Sequence, residues 1–309
     1  HFNKPESKVR TLSESIERYQ KEVLPNLKDH SNRSYHLAWW TDEIGFKVLA
    51  DIRASTISEC REKLRRTPSD SGRHKGKIRS DATINRYLAS LSALLSIAVR
   101  EWGWLEKNVC KNVRRAKESR GRVRFLSEQE LSDLRRACES SKLPELNIIV
   151  LVAMTTGARR GEIMNLRWRH MDLQSKKITL VDTKNGETRT VPLAGPALEV
   201  VQHWAKIRSI DENSYIFPGT TERTRDKPIE FDKAWRDALK LAKVTDFRFH
   251  DLRHTAASYL AMTGTGILEI GNILGHKSLD MVLRYSHLCE DHKTAAVERM
   301  VAAKFGSSV

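Results

Sequence analysis

Apolar positions recur along most of this chain at intervals of three and four, the spacing of helices that bury one stripe. In residues 11–23, Leu12, Ile16 and Tyr19 share a face behind a Thr or Ser cap. Residues 32–44 carry Tyr35, Leu37, Trp39 and Trp40, with Gly45 as the stop. A third helix is predicted over 56–66, ended by Pro68. A long fourth runs over 82–102, with Leu88, Leu91, Leu95, Ala98 and Trp102 along one side. Between them, residues 68–80 are polar, glycine-containing and basic, the composition of a loop that a ligand would order.

The periodicity lapses over 113–123 (VRRAKESRGRV) and resumes with a different rhythm. Ser127 and Glu130 form a capping box for a new helix, and Pro144 suits the first turn of the next, whose apolar body is 146–155. Residues 178–182 and 189–193 alternate as strands about Asn185-Gly186, a strong hairpin signal. Helices are predicted at 196–208, 231–242, 251–262, 267–274, 278–285 and 290–305. The pattern predicts a mainly α fold with a small β-sheet: a helical domain over 1–115, a basic linker over 116–124, and an α+β domain over 125–309. A length of 309 residues suits two domains.

Composition sharpens this picture through charge. The chain carries 54 Lys and Arg against 39 Asp and Glu, a net +15. Residues 1–120 hold 25 basic and 15 acidic side chains, and the remainder 29 and 24. Nucleic acid is the expected partner, since neutralising phosphates releases counterions. The first part reads as a DNA-gripping module through Arg73, Lys75, Lys77 and Arg79 in the basic loop and Arg114, Arg115, Arg120 and Arg122 in the linker. No apolar run approaches the roughly 18–20 residues that span a bilayer. No signal peptide is visible at His1-Phe2-Asn3-Lys4, and the lack of an initial Met suits a trimmed chain. Four scattered cysteines without a CxxC pair argue against zinc and fit a reducing cytoplasm.

Five segments of the second half carry candidate chemistry, each with a bland alternative. Arg159, in TTGARRGE, follows a helix-ending glycine and could fork onto phosphate oxygens, or it is a surface arginine. Lys184, beside the Asn185-Gly186 turn, is a solubilising residue or one that reaches into a groove. His250 and Arg253 share a helical face, an imidazole beside a guanidinium. His250 and His254 also stand at metal-ligand spacing, but Arg253 on that face would repel a cation. His276 follows Gly275 at a cleft edge or caps a helix. Tyr285 ends a helix, as many core tyrosines do.

In order, Arg159, Lys184, His250-x-x-Arg253, His276 and Tyr285 match the tyrosine recombinase signature, with His276 nine positions before Tyr285. The words TGARRGEIMNLRW, FHDLRHTAASYLAMTG and LGHKSLDMVLRYSHL resemble it too, and the likeness covers about residues 9–300. The chain therefore resembles integrases of phages and genomic islands. That resemblance implies a C-shaped clamp of core-binding and catalytic domains, and a site-specific recombinase working through a 3′-phosphotyrosyl intermediate. It implies Tyr285 as nucleophile, Arg159 and Arg253 on the phosphate oxygens, Lys184 as general acid, His250 helping to accept the tyrosine proton, His276 positioning the phosphate, and Glu162 as a supporting acid. It implies no metal or cofactor, double-stranded DNA with a specific core site, a homotetrameric synapse, and a host DNA-bending protein and excisionase as further partners. It places the protein in the bacterial cytoplasm at the nucleoid, away from membranes. The helix at 290–305 resembles a tail that docks on a neighbouring protomer. Family members often add a small N-terminal arm-binding domain, and none is visible in this sequence. Three rivals are a type IB topoisomerase, a non-catalytic DNA-binding regulator and a metal-dependent nuclease using His250 and His254.

Overall fold

The structure is a computed structural model, and it describes residues 6–70, 75–118, 122–181, 188–208, 211–276, 278–289 and 292–306. The chain divides into two compact units, His1–Gly121 and Arg122–Val309.

The first unit is built on four helices, α1 (Leu12–Glu22), α2 (His30–Ile44), α3 (Ala54–Arg66) and α4 (Asp81–Arg100). Thr11 caps α1 by accepting from the Glu14 amide, while the Glu14 carboxylate accepts from the Thr11 amide at 2.7 Å. The predicted stripes become the core: Leu12, Ile16 and Tyr19 meet Leu37 and Trp40 of α2 and Leu88, Leu91 and Leu95 of α4. The Trp40 indole donates to the Tyr87 carbonyl at 3.0 Å, which satisfies the one polar atom that ring brings inside. Gly45 ends α2 without a left-handed turn (φ −56°). Its role is close approach, since a Cβ there would stand 2.4 Å from both the Thr41 carbonyl and the Ser13 hydroxyl. Contrary to the sequence expectation, α4 is long and apolar enough to cross a membrane by length and composition, but half of that stretch is buried in this core.

The second unit wraps helices around a nearly all-apolar one. Helix α5 (Glu128–Glu139) starts in the predicted box, Ser127 and Glu130 exchanging bonds of 3.2 and 2.9 Å. Helix α6 (Glu145–Thr156) buries an unbroken run from Ile148 to Ala153, more than a full turn, so its middle is enclosed on all sides and only Thr155 near its end is exposed. Short α7 (Arg160–Met164) follows, then an antiparallel sheet in the order β1 (Met171–Asp172), β2 (Lys177–Val181), β3 (Thr188–Pro192). Strand β1 was not foreseen, because two residues show no period. The Asn185-Gly186 turn lies outside the described residues. Helices α8 (Gly195–Ile207), α9 (Asp232–Leu241), α10 (Asp251–Met262) and α11 (Ile267–Leu274) follow near their predicted positions. The helix expected over 278–285 is shorter. Helix α12 (Asp280–Leu283) stops before Arg284 and Tyr285, and a 3-10 turn over Ser286–Cys289 takes over, with the Ser286 hydroxyl donating to the Leu283 carbonyl. Helix α13 (His292–Phe305) is the last described helix.

The basic segment over 113–123 is partly fastened down. Val113 is buried, and Asn85 of α4 exchanges amide bonds of 2.9 and 3.0 Å with Ala116. Truncating Trp40 to Ala should destabilise this unit by about 3–5 kcal/mol through the cavity and the lost bond. Denaturant unfolding should show a lower midpoint, followed most directly by fluorescence from the remaining tryptophans of this unit.

Candidate active site

The turn between α6 and α7 sets the site. Gly157 takes a left-handed conformation (φ +61°), and a Cβ there would fall 2.1 Å from the Leu274 side chain of α11. The chain can thus reverse tightly and present Arg159 at the N-cap of α7. The Arg159 amide donates to Glu162 Oε2 at 2.7 Å and its Nη1 to Oε1 at 2.8 Å, while Nη2 reaches the Gly275 carbonyl at 3.1 Å.

Glu162 is buried, and a second arginine shares it. Arg189 on β3 donates Nη1 and Nη2 to the two oxygens of Glu162 at 2.7 and 2.8 Å, and Nε to the Ile273 carbonyl at 3.0 Å. Burial works against a charged Glu162, but the bonds from Arg189 and Arg159 overcome it and hold its pKa down at about 2. The reading of the sequence missed Arg189. The signal was present: Arg189 lies on the same face of β3 as buried Val191 and pairs with buried Leu180, so a guanidinium points inward where a hydrophobe is expected.

Helix α10 supplies the other half. His250 sits at its N-cap, exposed at the surface. Arg253 is 4% exposed, with Nη1 on the Gly157 carbonyl at 2.7 Å. Burial, then the charges of Arg159 and Arg189, push its pKa down to about 9. Its Nη2 is buried without a partner among the described residues, as is Nδ1 of His276. His276 follows the left-handed Gly275 that ends α11, and burial with Arg253 and Arg159 lowers it to about 3. Cationic and imidazole groups thus surround a place where a guanidinium donor of Arg253 is left over, and the Glu162 carboxylate beside it is already shared by Arg159 and Arg189. That is the electrostatic description of an anion site.

Tyr285 is buried, packed with Ala257, Ala261, Ile270, Leu274 and Val282. Its hydroxyl lies 2.5 Å from Nδ1 of His254, a residue the sequence reading considered only as a metal ligand. Burial raises the phenol pKa, while Arg284 and Arg253 pull the other way. The structure therefore brings together Arg159, Glu162, His250, Arg253, His276 and Tyr285. Lys184 lies outside the described residues. No group of three or more His, Cys, Asp or Glu gathers among the described residues.

The basic side chains expected to grip DNA divide. Lys75, Lys77, Arg114 and Arg115 are exposed. Arg79 is buried, holding the Thr67 and Pro68 carbonyls at 2.7 and 3.0 Å. Arg122 is paired with Asp246 and Asp251 in the second unit. Arg73 and Arg120 lie outside the described residues. Arg114 and Arg115 line one cleft with Arg61, Arg65 and Lys117. The sequence reading passed over Arg61 and Arg65, although their four-residue spacing puts them on one face of α3.

A model of the phage integrase family matches residues 124–292. A shufflon-specific DNA recombinase of Escherichia coli is 32% identical over 294 residues, covering 92% of this chain and 71% of its own length. An integrase of Salmonella phage P22 is 35% identical over 243 residues, and the chain spans 61% of it. Among solved structures, a lambda integrase tetramer bound to a Holliday junction aligns with a TM-score of 0.63 at 21% identity, over 90% of this chain and 82% of that one.

A neutral side chain in place of Glu162 isolates its contribution. Its pKa is held below the ordinary 4.5, so its stabilisation is full above pH 4.5 and is lost as pH falls towards about 2. Glu162→Gln should therefore lower the melting temperature at pH 7, and the gap to the unsubstituted chain should narrow on acidification. A gap that stays constant from pH 7 to pH 3 would show that the charge is not what Arg159 and Arg189 require.

Proposed function

Because the chain belongs to the phage integrase family of DNA-breaking and rejoining enzymes, we propose that its reaction is strand exchange at a specific core site, carried by the residues gathered around Arg253. The observation that carries this reading is the unsatisfied, buried Nη2 of Arg253, with Arg159 and His276 beside it. A phosphodiester brings one negative charge and acceptor oxygens, which is what these donors lack.

Arg159 and Arg253 clamp the non-bridging oxygens and stabilise the charge that grows in the trigonal-bipyramidal transition state. His276 hydrogen-bonds the phosphate. Glu162, with Arg189, keeps Arg159 extended at its N-cap and is a positioning residue. The Tyr285 oxygen attacks phosphorus, its proton leaving with help from His250, and forms a 3′-phosphotyrosyl bond. Lys184 protonates the departing 5′-oxygen. The new ester keeps the energy of the broken bond, so a 5′-hydroxyl from another strand can reverse the step without ATP. The guanidiniums supply the charge neutralisation that other phosphoryl-transfer enzymes draw from metal ions.

The N-terminal unit serves as the DNA-gripping domain, its basic cleft meeting the phosphate backbone. Four copies would synapse two sites. Exposed Val297, Met300, Val301 and Phe305 recur at helical spacing on α13, an apolar stripe suited to a neighbouring protomer. A host DNA-bending protein and an excisionase would then direct which sites are joined, in the bacterial cytoplasm at the nucleoid.

Tyr285→Phe should bind the core site as before yet yield no covalent protein–DNA adduct on a denaturing gel; recombination surviving this change would remove Tyr285 from the role of nucleophile. Arg115→Ala should weaken binding uniformly across DNA sequences, with the slope of log affinity against log salt shallower by roughly one. A loss confined to one sequence would assign Arg115 to base readout instead.

A further inference from the structure

We propose that His254 is the catalytic residue that receives the phenolic proton of Tyr285, with His250 assisting from one turn earlier on α10; this rests on the reading of Tyr285 as nucleophile. His254 is half-buried and its Nδ1 is 2.5 Å from the Tyr285 oxygen, whereas His250 is exposed. The two imidazoles stand edge to face, 5.3 Å between centres at 85°.

The direction of the hydrogen bond follows from the surroundings. Burial favours the protonated phenol, so the hydroxyl is a donor at neutral pH. Burial, then His250, lowers His254 to about 4, so its ring is neutral and Nδ1 offers a lone pair when Nε2 carries the hydrogen. The groups that act on His254 are His250, Asp251 and Arg253 on its own helix, Arg284 next to the tyrosine, and His276 after α11. Most are cationic or neutral, and they hold back protonation of the ring in the free protein. A phosphate seated between Arg159 and Arg253 offsets that positive field. The imidazole then becomes a stronger proton acceptor when DNA occupies the site.

The step balances. The Oη–H bond breaks and its proton passes to Nδ1, giving an imidazolium. The Oη electron pair forms the bond to phosphorus, and the bond from phosphorus to the 5′-oxygen breaks, that oxygen taking a proton from the general acid. Rejoining runs the same transfers backwards, with the imidazolium returning its proton to the tyrosine oxygen as that oxygen leaves.

The experiment is single-turnover cleavage of a nicked duplex, its sequence selected from random DNA by binding to the Tyr285→Phe chain. His254→Asn places an amide oxygen near the position of Nδ1 and holds the phenol without accepting its proton; His254→Ala removes both functions. Both should bind the duplex and melt like the unsubstituted chain, yet cleave about 10²–10³-fold more slowly, within the usual range for loss of a general base. Their rates should climb steadily with pH where the unsubstituted chain is flat, and added imidazole should restore part of the rate to His254→Ala. A duplex with sulfur in place of the 5′-bridging oxygen needs no leaving-group protonation, so it should rescue Lys184→Ala and leave both His254 variants slow. Rescue of the His254 variants by sulfur, or full-rate cleavage by His254→Asn, overturns the proposal. Adduct formation by Tyr285→Phe would instead overturn the reading beneath it.

Discussion

Three guanidiniums that approach one another must either be spaced by negative charge or repel, and the second unit resolves this with a single carboxylate. Glu162 takes bidentate bonds from Arg189 and two bonds from Arg159, and burial excludes the water that would otherwise screen them. Among the described residues Arg253 takes no carboxylate and keeps a donor in hand. Three guanidiniums against one carboxylate leave a local excess of positive charge at a fixed place even after Glu162 is shared. A phosphate offsets part of that excess, and the charge that grows on it in the transition state offsets more.

The backbone is arranged around the same arginines. Gly157 and Gly275 both take left-handed conformations, and the carbonyls near them accept the guanidiniums: Arg253 on Gly157, Arg159 on Gly275, Arg189 on Ile273. Each helix C-terminus thus lends its partial negative charge to a cation. The glycines are needed for space as well as for φ, since a Cβ at 275 would press on the Arg189 side chain at 2.9 Å. Three cations are in this way tied to the ends of the apolar helices α6 and α11, so the rigidity of the buried helices is passed to the polar site.

The charge inventory did not separate gripping residues from structural ones. Arg79 and Arg122 stand in basic runs like those of Lys77 and Arg115, yet Arg79 holds two carbonyls and Arg122 holds two aspartates. Arg61 and Arg65 of α3 line the same cleft as Arg79, and they too are paired, with Glu62 and with Asp81. A run of basic letters fixes net charge; which side chains keep that charge available depends on acceptors distant in the chain.

The helices, the caps at Thr11 and Ser127, the paired strands and the ordered set from Arg159 to Tyr285 were legible in the sequence by itself, because period, capping chemistry and motif spacing are local properties. Only the tertiary structure decided that Arg189 shares Glu162, that Arg253 retains an unpaired donor, and that the phenol of Tyr285 meets His254. The two contacts among those facts join positions 27 and 31 residues apart. Their energies come from burial and from bonds between elements, and no local pattern encodes either.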